Sequence, residues 1–318
     1  MKLHTNSGVF SAILELINER TGIRSDVLEK DYYITLLLKE LSEWQDELPI
    51  YFKGGTALYK ALGSIRRFSE DIDLTVCIDG CSNSQAKRRL DKAANGYQSL
   101  SRTVKKELES NQRGAITSLY DYPSASEGFI SDPLQRFGHV KVEATSFTVS
   151  EPFAPLFIAP LIFDKATEAQ KTILRDDYDI APFYVNTIRL ERIFVDKVFA
   201  SEFYYQRHAY FDASKHIYDL FIMLSLDVIQ ALLIDPAELT TMIAFKRREE
   251  KVRIGSDLSE KPIAAFKIFY EMYENKKLQS EFDFMQNVYV FEKADRLSFD
   301  AVLESLAVIK ARLLQENM

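Results

Sequence analysis

The chain has 318 residues, 47% of them hydrophobic, enough for one large domain or two ordinary ones and too apolar for global disorder. Its net charge of −7 argues against a protein that coats nucleic acid by charge alone, but a local basic groove stays open. The two cysteines, Cys77 and Cys81, lack zinc-spaced partners, read as reduced thiols and fit a cytoplasmic protein.

At the N-terminus Glu15 and Glu19 interrupt the apolar pattern, so no signal peptide is expected. No stretch of 18 apolar residues predicts a membrane-spanning helix. Ser7 is placed to cap a first helix, with Val9, Phe10, Ile13, Leu14 and Ile17 on one face and Gly22 at its end. "SDVLEKDYYITLLLKELSEW" predicts a second helix, capped near Ser25. "PIYF" reads as a short strand entering Gly54-Gly55, and "TALYKAL" as a helix with Thr56 as N-cap and Gly63 just past its end. "DIDLTVCI" alternates like a strand, with Asp71, Asp73 and Thr75 on one face and Ile72, Leu74 and Val76 on the other.

From Ser82 to Glu109 the pattern is helical, polar and basic; Lys87, Arg88 and Arg89 read as a solvated face. "GHVKVEATSFTV" is a second alternating strand, with Lys141, Glu143 and Thr145 opposite Val140, Val142 and Ala144. Short strands are expected near 158–162 and 183–185. After Thr187 the chain reads as helices at about 188–206, 212–232, 236–247, 261–275 and 298–315. The expected division is therefore an α+β domain with a mixed sheet over 1–186 and an all-α domain over 187–318. No coiled-coil seam or large apolar edge is visible, which favours a monomer.

Two carboxylates at i and i+2 of a strand project from one face, roughly 6–7 Å apart. Like charges this close are costly unless a cation neutralises them. Oxygen-only ligands suit Mg²⁺ (or Mn²⁺), which binds through one or two carboxylates plus substrate phosphates. Gly54, Gly55 and Thr56 supply a complementary half: glycines admit an anion to the backbone, the helix start adds positive charge, and Thr56 offers a hydroxyl. Arg66 and Arg67 lie on the approach to the acidic strand and Lys53 just before the glycines, all three able to offset phosphate charge. The combination predicts a nucleoside triphosphate with its metal.

The stretch "FKGGTALYKA…RFSEDIDL" resembles the first motif of the AbiEii/AbiGii toxin nucleotidyltransferases, relatives of the DNA polymerase β-like superfamily, and "LEKDYYITLLLKEL" looks like that family's preceding helix. The resemblance implies a mixed-sheet nucleotidyltransferase domain followed by a helical domain that closes the active-site cleft. It implies a toxin of a toxin–antitoxin or phage abortive-infection system, transferring a nucleotide from an NTP to an acceptor such as tRNA, with a cognate antitoxin. It also implies a third carboxylate on a neighbouring strand, for which Glu143 in "KVEAT" is the match, and a lysine and an aspartate on successive helices. "LERIFVDKVFA" and "SKHIYDLFIML" put Lys197 and Asp219 in those two places. Independently of the resemblance, Lys197 interrupts the apolar stripe Leu190, Ile193, Phe194 and Ala200, so it reaches either water or an anion. Asp219 belongs to a polar stripe with Asp212, Lys215 and His216 and reads, taken alone, as solvated surface. In the segment 240–262, Lys246, Arg247, Arg248, Lys251 and Arg253 read as a charged helix end, with RNA contact as the other possibility. Two other classes stay open: a kinase-like or self-modifying phosphotransferase with Ser69 as acceptor, and an NTP-binding regulator without turnover.

Overall fold

The computed structural model describes residues 1–64, 66–125, 134, 136–253 and 255–314. The chain divides into two compact units, Met1–Thr187 and Ile188–Met318.

The first unit opens with α1 (Ser7–Thr21) and α2 (Ser25–Trp44). Next come β1 (Ile50–Lys53), α3 (Gly54–Leu62), β2 (Asp71–Val76), α4 (Asn83–Asn95), β3 (Ser101–Thr103), β4 (Ser110–Gln112), β5 (Ala115–Asp121) and β6 (His139–Thr145). The unit closes with β7 (Phe153–Ile158), α5 (Leu161–Asp164), α6 (Glu168–Asp176) and β8 (Phe183–Ile188). The strands form one mixed sheet in the order β3-β5-β6-β2-β1-β8-β7, with β4 paired to β5. β2 runs antiparallel to β1 and parallel to β6. The apolar alternation places Ile72, Leu74, Val140 and Val142 on the buried face, and the polar set on the other. α2 is buried almost along its whole length, and two of its buried charges have clear internal partners. Lys30 donates to the carbonyls of Arg136 and His139, at 2.8 Å to the former. Asp31 pairs with Lys60 at 2.7 Å and accepts the Leu161 amide at 2.7 Å.

The second unit contains α7 (Leu190–Gln206), α8 (Tyr210–Leu224), α9 (Asp227–Ile234), α10 (Pro236–Val252), α11 (Lys276–Tyr289) and α12 (Phe299–Leu314). Its core carries a buried ion network as well as apolar packing. Arg192 pairs with Asp196 and, at 2.5 Å, with Glu249. Lys246 pairs with Glu249 at 3.0 Å and Glu250 at 2.9 Å. Among the described residues no single helix is long and apolar enough to cross a membrane.

Several sequence expectations are corrected. Asn6 rather than Ser7 caps α1, accepting from the Val9 amide. The helix expected over 82–109 stops at Asn95, because Tyr97 turns inward to pack on Trp44 and Tyr120; the short strand β3 follows within that stretch and β4 begins just past it. The strand near 158–162 is instead β7, ending at Ile158; beyond Pro160 the chain turns helical, with Asp31 accepting the first amide. The helix expected over 212–232 is two helices bent by 89°, with Ser225 and Leu226 at the break. The stretch 261–275 is a series of short 3₁₀ turns, Ile263–Ala265, Lys267–Phe269 and Met272–Glu274, and α11 behind it has no counterpart among the expected helices. Within 240–262 Lys246 is buried among carboxylates, Arg247 donates to the carbonyls of Leu258, Ser259 and Lys261, and Arg253 pairs with Glu250. These three cations are engaged within their own unit.

Candidate active site

The site arises from register. β1, β2 and β6 are neighbours, and pairing sets Lys53 opposite Asp73 and Asp73 beside Glu143. One step along, Asp71 lies beside Lys141. Because side chains alternate, all five share the face away from the apolar core. The motif strand therefore meets an acid and a base from β6 that are distant in sequence.

Lys141 stands in the middle of this cluster. Its Nζ lies 2.9 Å from Asp71 Oδ2 and 2.8 Å from Glu143 Oε1. Burial alone would lower its pKa, but the two carboxylates outweigh burial and push it up, so the ammonium keeps its charge. Asp73 has no such partner: no hydrogen bond or ion pair among the described residues ends on its carboxylate. Burial first, then the charges of Glu143 and Asp71, raise its pKa to about 6, against the opposing pull of Lys53 and Lys141. Glu70, which carries no motif signal in the sequence, belongs to the same neighbourhood. Burial raises its carboxyl to about 7, and its buried Oε2 accepts no hydrogen bond from the described residues.

α3 begins directly at Gly54, with Lys53 as its N-cap; the expectation that Thr56 caps it is corrected. Gly54 has φ +83, and a Cβ there would fall 2.0 Å from Asp73 Oδ2. Only glycine lets the strand turn into the helix this close to the carboxylate. At Gly55 a Cβ would come within 2.7 Å of Ser69 Oγ and 3.0 Å of Arg67 Nη2. Thr56 is buried and donates inward, to the Asp71 carbonyl at 2.7 Å with Ser69 Oγ at 3.0 Å. Its hydroxyl thus ties α3 to the start of β2. Arg67 is also buried, donating to the Phe68 carbonyl and lying over the Tyr59 ring, while Arg66 is exposed.

Gly54→Ala is therefore expected to displace Asp73, lowering any activity of this site by about a hundredfold and stability by roughly 1–3 kcal/mol. Gly63 is the control. It is also left-handed, at φ +59, but a Cβ there meets nothing within 4 Å. Gly63→Ala should cost about 1 kcal/mol of stability in thermal unfolding and leave activity unchanged.

Lys197 and Asp219 lie in the second unit and form an ion pair of 2.8 Å. Lys197 is buried, and the anion it meets among the described residues is Asp219. Asp219 is fully buried rather than solvated surface, because α8 also turns Ala213, Ile217 and Leu220 inward.

The donor set of the first unit suits a hard divalent cation. Asp71 and Asp73 present carboxylate oxygens on one face, and Asp73's excess of negative charge is what a cation would relieve. Glu143 is held by Lys141, and among the described residues no three His, Cys, Asp or Glu side chains already converge on one ion position.

A family model described as the nucleotidyl transferase AbiEii toxin of type IV toxin–antitoxin systems matches residues 36–305. Among solved structures the chain is similar to MenT4, a nucleotidyltransferase toxin from Mycobacterium tuberculosis H37Rv, at 13% identity and a TM-score of 0.46, over 93% of this chain and 98% of that one. The chain has no match among curated proteins.

Proposed function

The chain belongs to the AbiEii nucleotidyltransferase toxin family of type IV toxin–antitoxin systems, and on that premise we propose that it transfers a nucleoside monophosphate from an NTP to a hydroxyl of RNA, tRNA foremost. The observation that carries this reading is the polar row Lys53, Asp73 and Glu143, set beside Asp71 and Lys141 at the glycine start of α3.

Asp71 and Asp73 would hold Mg²⁺ or Mn²⁺, with Glu143 beside them as the third carboxylate. When bound, the metal supplies charge for the triphosphate and acidifies the attacking hydroxyl. Gly54 and Gly55 give Asp73, Ser69 and Arg67 the room to pack against the first turn of α3, and the positive end of that helix would meet phosphate oxygens. Thr56 keeps α3 and β2 in register, and its own amide stays with that first turn. Lys53 and Arg66 offset phosphate charge at the rim, with Arg67 behind them bracing Gly55 and Phe68. Glu143 or Asp71 takes the proton from the acceptor hydroxyl. Lys197, oriented by Asp219, offsets charge on the leaving pyrophosphate. A toxin of such a system is counteracted by a cognate antitoxin.

The test is incubation with each α-³²P-labelled NTP, Mg²⁺ and total RNA, followed by a denaturing gel. A labelled tRNA band that Asp71→Ala removes is the expected result. Label that arrives only from γ-³²P NTP would replace this reading with phosphate transfer, and NTP binding without any label would reduce it to a binding site.

A further inference from the structure

A polymerase-like carboxylate triad is often taken to hold two divalent ions, one on each side of the transferred phosphate. The cluster on β2 and β6 has a feature that such a pair does not need. Lys141 sits inside the triad, with its ammonium bonded at once to Asp71 Oδ2 and Glu143 Oε1 at 2.9 and 2.8 Å. We infer that Lys141 is a built-in counter-cation that takes the place of a second metal ion, so that the site accepts one divalent ion per chain. This rests on the metal reading proposed above.

Three observations carry it. The first is position. Lys141 is two residues from Glu143 on the same strand and pairs across to Asp71, so the pleat itself aims it between those two carboxylates. A second metal shared by Asp71 and Glu143 would have to displace both ion pairs. The second is charge. Asp71, Asp73 and Glu143 carry three negative charges, and Lys141 cancels one. The remaining two are what a single divalent ion neutralises. Lys53 faces the same row and tempers Asp73 from the other side without an ion pair, which further weakens the case for a second ion. The third is asymmetry. Asp71 and Glu143 are already satisfied by Lys141, whereas Asp73 has no hydrogen-bonding or ionic partner among the described residues, so the unmet demand for a cation is concentrated at one end of the cluster.

The experiment titrates the full chain with Mn²⁺ alone and counts bound ions by electron paramagnetic resonance. One ion per chain is expected, lost in Asp73→Asn. Lys141→Gln should raise the count from one to two, and Lys141→Arg should return it to one. Circular dichroism of each variant checks that it is folded. Two ions in the unaltered chain would show that Lys141 is simply displaced, and would overturn the inference while leaving the metal reading intact. One ion in a folded Lys141→Gln would overturn it as well, since the lysine would not then be what limits the count. No bound Mn²⁺ in any form would overturn the metal reading and the inference with it.

Discussion

Asp73→Asn is expected to lower nucleotide transfer by roughly a thousandfold while making the metal-free chain more stable at neutral pH. The two effects share one cause. Asp73 is held against Gly54 on one side and beside Glu143 on the other, and its carboxyl is raised from 3.8 to about 6, by burial first and by neighbouring carboxylates second. A raised carboxyl pKa means that the folded chain binds the proton more tightly than the unfolded chain does. The stabilisation from that proton is fully present below the unfolded value near 4 and is lost as pH rises through about 6. At pH 7 the ionised carboxylate is then a net cost, on the order of 2–3 kcal/mol. Asparagine keeps the shape and removes the charge. In EDTA the variant should unfold at a higher temperature than the unaltered chain at pH 7, by about half that margin at pH 5, and at nearly the same temperature below pH 4. Mn²⁺ should raise the midpoint of the unaltered chain and leave that of the variant where it was. A variant that is less stable at pH 7 would mean that Asp73 has a hidden counter-charge and is not the point where a cation is missing.

The part of this site that the sequence announces is the part written in local patterns. Alternation in "DIDLTV" places Asp71 and Asp73 together whatever the rest of the sheet does, and two glycines before a helix mark a close approach of backbone to something. What glycine approaches is not local. That Gly54 makes room for Asp73 depends on β1 pairing with β2 in one register. Lys141 shows the same limit more sharply. On its own strand it looks like the wet face of a sheet, and only the parallel pairing of β2 with β6 brings its ammonium between two carboxylates. Glu70 precedes the alternating run and carries no periodic signal at all. In the second unit the charges of α7 and α10 sit at i, i+3 and i+4 spacings that an exposed helix would also show, so Arg192, Lys246, Glu249 and Glu250 give no sign in sequence of being buried together. The 3₁₀ turns before α11 escape a periodic reading for a related reason. Their apolar residues, Ile263, Ile268, Phe269 and Met272, fit a helical spacing, but Arg247 binds three carbonyls just before them and fixes the backbone in another path.

The second large effect is expected at Asp219. With its side chain fully buried and its Oδ2 2.8 Å from Lys197 Nζ, Asp219→Ala leaves an ammonium without its counter-charge inside the helical unit, which should cost about 3–5 kcal/mol in urea unfolding. The double variant Lys197→Met, Asp219→Leu removes both charges and keeps the volume roughly constant, so it should recover most of that loss. This separates two roles that single substitutions would confuse. A bare stabilising pair is replaceable by an apolar one, and transfer activity would then return together with stability. A lysine that also offsets charge on pyrophosphate is not replaceable, and the double variant should be stable yet transfer about a hundredfold less nucleotide. Asp71→Ala serves as the reference for full loss of transfer in a folded chain. If the double variant is stable and transfers at the original rate, Lys197 and Asp219 are core residues alone, and the positive charge on the leaving group has to come from the rim of the first unit, where Lys53 and Arg66 are the residues to replace next.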